Sequence, residues 1–293
     1  MNERWNKDKK IIDPHELVGE EVKDKVLAIE PSIEWTYKEE EKTEKDKEII
    51  SELNVAASEV FLKLGLEKVV VPTENIHILD REEFFRLAKF LGTSDTLEGF
   101  YYWDQVFVYR GKPEDQFIND LSHEFAHAVS YYSIRNFVKP RDEQGKILVA
   151  TRNKRLGYGL NQPESLGFRG FNEGMTEHLA RAIRHEVDEK ILPAVADRKK
   201  FILSGAYWPQ IALLDRVFKM IDEQDVTIGY KEFLQGLITG EMSMFKKLEK
   251  KKKGIVKVLA GMGGEPADAL LAAKQLGFED VVEEIQGYID RRK

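Results

Sequence analysis

The sequence predicts an α+β fold: a small mixed sheet over a central helix, followed by a mostly helical C-terminal region. Three observations carry this expectation. Strand candidates rich in β-branched and aromatic residues occur within residues 69–109 and a hairpin pattern at 146–160, apolar residues recur at helical spacing around them, and the pattern from residue 201 onward is mostly helical. With 293 residues, 42% of them hydrophobic, the chain has apolar material for one large core or two modest ones.

Residues 1–48 read as a charged extension or linker, because the run KEEEKTEKDKE at 38–48 holds Thr43 as its only uncharged residue. From Ile49, the residues Leu53, Ala57, Val60, Phe61 and Leu64 share one helix face, and Gly65 supplies a stop. Residues 69–71 and 76–79 then read as short strands. Asp80 with Glu83 forms a capping box for a helix whose apolar face holds Phe84, Phe85, Leu87, Ala88 and Leu91. Residues 99–109 are aromatic and β-branched, giving one strand or two with a turn near Asp104. Glu114 and Asp115 suit a helix N-terminus, and Phe117, Ile118, Leu121, Phe125, Ala128 and Val129 carry that helix to about Tyr132.

Beyond Pro140, residues 146–151 and 155–160 flank Asn153-Lys154 as a hairpin, and a glycine-containing loop leads to a second helix at 171–185. Residues 201–221 are helical in pattern with a break near Pro209. Two further helices follow at 267–273, with Pro266 in the first turn, and at 278–289. The basic run KKLEKKKK at 246–253 reads as a solvated helix end or linker. The expected organisation is an extension at 1–48, a main domain at 49–240 and a helical region at 241–293.

Lys and Arg number 45 against 52 Asp and Glu, a net charge of −7, which argues against nucleic acid as a partner of the whole molecule. The chain has no Cys. Disulfides, thiolate nucleophiles and sulfur-ligated metals are thereby excluded, leaving His and carboxylates as metal ligands. No long apolar run occurs in the first twenty residues or later, so no membrane span is expected. The expected location is cytoplasmic; export after removal of a leader, or by a signal-less route, is the other reading. The sequence is silent on oligomeric state.

His123-Glu124-Phe125-Ala126-His127 forms an HExxH pattern inside an independently predicted helix. Helical spacing puts the two imidazoles on one face, about 5–6 Å apart at Cβ, so both reach one zinc ion at roughly 2.0–2.1 Å. Glu124 stands beside that ion as a candidate general base, while Phe125 and Ala126 point away and bury. An open zinc site needs a third protein ligand. His15, His77, His178, His185 and many carboxylates are available. Glu173 and Glu177 are the strongest candidates; they lie one turn apart on the second helix, and periodicity alone does not choose between them.

With these residues the chain resembles the gluzincin metallopeptidases, which include thermolysin-like enzymes and related aminopeptidases. They carry HExxH on one helix and an Asn-Glu pair on a following helix, here Asn172-Glu173. The resemblance spans about residues 49–218 and implies a zincin-like domain binding one Zn2+ per chain through His123, His127 and Glu173. It also implies that Glu177, four residues on, holds His123 by its outer nitrogen. The implied activity is hydrolysis of a peptide or protein laid along the aromatic segment before the active-site helix, with Glu124 as general base. The 45 residues between His127 and Glu173 exceed the usual spacing in thermolysin-like enzymes and aminopeptidases. No subfamily is assigned, and the intervening hairpin and loop resemble minimal gluzincins with insertions there.

Hydrolysis needs a second electrophile opposite the metal. The candidates are Tyr207, where the chain can fold back over the metal, and Tyr158, whose neighbours Gly157 and Gly159 free the backbone to aim it. His178 and His185 are expected to be structural. Two other function classes compete: a noncatalytic protein-binding module on a metallopeptidase scaffold, against which the intact Glu124 argues, and a regulatory or toxin-like protease dedicated to one substrate.

Overall fold

The computed structural model describes residues 37–90, 98–102, 105–138, 150–162, 165–188, 207–221 and 226–292. Helix α1 (Glu44–Lys63) starts inside the charged run, where Thr43 and Asp46 cap each other reciprocally. Asp46 is buried and pairs with Arg110. That segment is therefore tied down and not a free linker. Residues 69–71 do not join a sheet. Asn54 and Ser58 of α1 take their place, bonding both Val71 N–H and C=O and the Val69 carbonyl, so side chains satisfy a backbone that a strand partner would otherwise serve.

Strand β1 (Ile76–Leu79), helix α2 (Arg81–Phe90), β2 (Gly99–Tyr102) and β3 (Gln105–Tyr109) follow. They give a three-stranded sheet in the order β1-β3-β2, with β1 parallel and β2 antiparallel to β3. The turn expected near Asp104 lies outside the described residues. Alternation sends Ile76, Ile78, Val106 and Val108 into the main core, and Leu79, Phe100, Phe107 and Tyr109 to a smaller cluster with Phe84 and Leu87 of α2. Helix α3 (Glu114–Val129) packs on the first face. It stops at Val129, short of Tyr132, because Ser130 is extended and the chain enters β4 (Tyr132–Val138).

A second, antiparallel sheet runs β4-β5-β6-β7, with β5 at Ala150–Leu156, β6 at Gly159–Gln162 and β7 at Ser165–Gly167. This corrects the expected hairpin. Asn153-Lys154 lies within β5, and the turn comes at Gly157-Tyr158, where Gly157 takes φ +54° and the Asn172 side chain accepts from Tyr158 N–H at 2.8 Å.

Seven helices complete the described chain: α4 (Arg169–Glu186), α5 (Trp208–Ile221), α6 (Val226–Thr239), α7 (Ser243–Lys251), α8 (Ile255–Ala260), α9 (Pro266–Leu276) and α10 (Glu279–Asp290). Pro209 falls in the first turn of α5, where its missing N–H costs nothing, so it does not kink the helix. Helix α6 is an addition to the expected elements. The basic run belongs largely to α7, which buries Met244, Phe245 and Leu248 and turns its lysines outward. One hydrophobic core extends from Ile49 of α1 to Ile285 of α10. Among the described residues no helix is long and apolar enough to cross a membrane.

Candidate metal centre

Helices α3 and α4 pack against each other and bring two sequence-distant motifs together. Phe125 and Ala126 are fully buried, which fixes the rotation of α3 and turns the histidines toward α4. His123 Nε2 and His127 Nε2 lie 3.4 and 3.2 Å from the same Glu173 oxygen. The donor atoms of the three residues all fall within 4.8 Å of one another, a cluster that could hold one metal ion. Two imidazoles and one carboxylate form a donor set suited to zinc.

The outer ring nitrogens are already engaged. His123 Nδ1 bonds Glu177 Oε2 at 2.9 Å, and His127 Nδ1 lies 3.3 Å from the Thr176 hydroxyl. A proton on each Nδ1, directed at those oxygens, would leave each Nε2 a lone pair for an ion in the cluster. Glu177 is held in turn by Arg184, which is fully buried and donates a second bond to Ser122 Oγ at 2.8 Å.

The residues on either side of Glu173 have structural work of their own. Asn172 is spent on the Gly157-Tyr158 turn, and a Cβ at Gly174 would meet Leu214 Cδ1 at 2.7 Å, so glycine permits α5 to close on the helix beside Glu173. The Asn-Glu-Gly run thus has a structural account on both sides of the glutamate.

Electrostatics favour a cation here. Burial opposes ionisation of Glu173, but the two imidazoles outweigh it and hold the carboxyl well below the usual range. His123 is penalised by burial yet pushed up to about 10 by its bonds to Glu173 and Glu177. Glu177 is kept low against burial by the charge of Arg184 and the bond to His123. Glu124 goes the other way: burial pushes it up, although both histidines pull against that.

Glu124 leans toward β2. A Cβ on Gly99 would lie 2.7 Å from Glu124 Cγ, so this glycine makes the room that the carboxylate occupies. Tyr101, the next residue on that face of β2, lies beside the His127 ring at 6.4 Å between centroids, 19° from parallel. Gly99, Tyr101, Glu124, the His-His-Glu cluster, Glu177 and Tyr207 line one cavity of about 670 Å³. β2 is the edge strand of its sheet, so the cavity opens beside strand backbone with no partner strand among the described residues.

The two tyrosine candidates part company. The Tyr207 ring stacks on His123 at 5.4 Å and 21° between planes, and the residue holds φ +64°, a backbone state rare for a bulky side chain. The charge of Glu173, then burial, raise the pKa of its hydroxyl, so it stays a proton donor. Tyr158 is placed elsewhere. It is fully buried, and its hydroxyl donates to the Phe233 carbonyl at 2.7 Å, so the flanking glycines aim it into the core.

Of the other histidines, His77 faces the α2 side of the sheet, bonded to Glu39 and Gln105 and stacked on Phe107. His178 is buried behind α4, His185 is exposed beside Glu186, and His15 lies outside the described residues. Sequence reasoning missed Thr176, Arg184 and Gly99. Arg184 carried a signal, since it follows Glu177 by seven residues and so returns to the same helix face. Gly99 carried none, because its partner is set by packing of β2 on α3.

No protein-family model, no characterised protein and no solved structure matches this chain.

Proposed function

We propose that this chain is a zinc-dependent peptide hydrolase of gluzincin-like, zincin-type architecture. The observation that carries the reading is the convergence of His123 Nε2, His127 Nε2 and Glu173 Oε2, with each Nδ1 already occupied behind it. His123, His127 and Glu173 hold the ion, and Glu177 orients His123. A zinc ion bound there supplies Lewis acidity, acidifying water and polarising a carbonyl. Glu124, raised by burial but facing the cluster, takes the proton from the attacking water and returns it to the departing amine. The Tyr207 hydroxyl donates to the oxyanion that develops on the former carbonyl. The edge of β2 offers main-chain donors and acceptors to an extended substrate.

A second reading, a protein-binding module that has lost catalysis, is disfavoured by Gly99. A scaffold needing only shape has no use for a void that seats a buried carboxylate. Glu124→Gln separates the two: zinc content equal to the wild type with peptide cleavage reduced by about 100-fold or more supports hydrolysis. Undiminished cleavage overturns the role of Glu124, and a zinc-loaded wild type that cuts no member of a diverse peptide library favours the binding module.

A further inference from the structure

The cavity holds two guanidiniums that the proposed reaction does not use, Arg169 at the start of α4 and Arg292 just beyond α10. Five acidic groups share these walls; Glu124 is the proposed base, and the other four have partners within the protein. Glu177 is held by Arg184 and His123, and Asp120 by Lys112 at 2.6 Å. Glu98 accepts from Tyr109 at 2.7 Å and pairs with Lys112, while Glu173 sits between the imidazoles. Among the described residues, neither Arg169 nor Arg292 makes an ion pair. Two exposed cations without an ion pair thus face a cavity whose acidic groups, Glu124 apart, already have partners.

Both are held in place. Phe168, just before Arg169, has φ +61°, and its N–H bonds the Ala260 carbonyl at 2.8 Å. Gly170, just after, bonds the Met262 carbonyl at 2.9 Å, and a Cβ there would strike the Gly263 carbonyl. The loop between α8 and α9 therefore clamps the backbone on either side of Arg169, which is how a strained turn persists. The same loop reaches Tyr207: a Cβ on Gly264 would touch Arg169 Nε and Tyr207 Cε1, each at 3.8 Å. Arg292 lies over the Tyr288 ring at 4.7 Å, and Tyr288 stacks at 5.1 Å on Trp208, the neighbour of Tyr207. Both guanidiniums accordingly belong to the Tyr207 side of the cavity, across from β2.

We propose that Arg169 and Arg292 form a carboxylate-binding subsite that selects peptides carrying a carboxylate close to the scissile bond. The inference rests on the hydrolase reading above. Guanidinium is the side chain best matched to a carboxylate, through paired N–H donors, and a partly enclosed cavity strengthens the attraction. The carboxylate comes either from a free peptide C-terminus or from an Asp or Glu side chain, and the chemistry of recognition is the same.

The test uses two peptide series on the full zinc-loaded chain. One compares free C-terminal carboxylates with amides at varied distance from the cut; the other compares Asp and Glu with Asn and Gln inside peptides blocked at both ends. One series should show a preference for the carboxylate of about tenfold or more in kcat/KM, carried mainly by KM. Arg169→Met and Arg292→Met should each reduce that ratio, the double variant should bring it near unity, and Arg169→Lys should keep part of it. Binding of the same peptides to zinc-loaded Glu124→Gln, read by fluorescence anisotropy, should give the same ratios without turnover. Equal kcat/KM and equal affinity within both series overturn the subsite, as does a preference that survives in a folded, zinc-loaded double variant. If no peptide is cleaved but carboxylate-dependent binding disappears with the arginines, the hydrolase reading fails and the subsite stands.

Discussion

His123 and Arg184 grip opposite oxygens of one carboxylate, that of Glu177, although Arg184 itself is fully buried and absent from the cavity wall. The chain Ser122–Arg184–Glu177–His123 runs from the core to the edge of the metal cluster. In the proposed site, removing Glu177 would leave three ligands but free one imidazole, whereas removing Glu173 would delete a ligand. Glu177→Ala should therefore weaken zinc by about 10–100-fold, and Glu173→Ala should weaken it more. Competition with a calibrated chelator at one pH measures both. Weaker zinc binding in Glu177→Ala than in Glu173→Ala would reverse the two assignments.

Gly99 is predicted to be essential for turnover while touching no metal ligand. Its substitution by Ala sets a methyl group 2.7 Å from Glu124 Cγ, and a shift of the base by even 1 Å costs about 100-fold. Gly99→Ala should bind zinc as the wild type does and lose kcat. Wild-type kcat in this variant would mean that Glu124 has space the structure does not show.

If the Tyr207 hydroxyl acts as proposed, on charge that develops during the reaction, Tyr207→Phe should lower kcat by about 10- to 1,000-fold with a smaller change in KM. Tyr158→Phe is its control. Loss of the hydroxyl that donates to the Phe233 carbonyl should cost about 1 kcal/mol of stability and leave kcat near the wild-type value. Thermal unfolding together with steady-state kinetics reads both variants, and an unchanged kcat in Tyr207→Phe would require another donor.

His178 should give the protein an acid-sensitive stability. Burial, then the charge of Arg181, push its pKa down to about 3, while Glu177 pulls against them. Asp215 of α5 lies 3.4 Å from its Nε2, and the Tyr230 hydroxyl of α6 bonds its carbonyl at 3.3 Å. The unfolded chain takes up this proton near pH 6.5 and the folded chain does not. The stabilisation is thus fully present above that pH and is lost as pH falls toward 3, at up to about 1.4 kcal/mol per pH unit. His178→Gln should flatten this dependence in denaturant melts between pH 7 and pH 5; parallel curves for the two proteins would show that His178 is protonated in the fold.

The periodicity of Phe117, Ile118, Leu121 and Phe125 was sufficient to place the HExxH residues on a helix, and the i to i+4 spacing of Glu173 and Glu177 put both on one face. What the pattern left open was settled by packing. Residues 69–71 have strand composition, yet their backbone is served by Asn54 and Ser58. Asn153-Lys154 reads as a turn, but Gly157 can take a positive φ and Asn172 is there to hold it. The sequence favours Tyr207 over Tyr158 as a candidate, but only the tertiary neighbours send one hydroxyl to the Phe233 carbonyl and lay the other ring on His123. Contacts between distant segments have no local signal, which is why Arg292 and Gly99 entered the site unannounced.

The most direct test of the central claim is a zinc titration of chelator-stripped protein in which bound metal and peptide cleavage are followed in one series. Activity should rise linearly and break at one zinc per chain, and His123→Ala and His127→Ala should show no such break. Stripped protein that takes up no zinc, or that cleaves equally well before zinc is added, would contradict it.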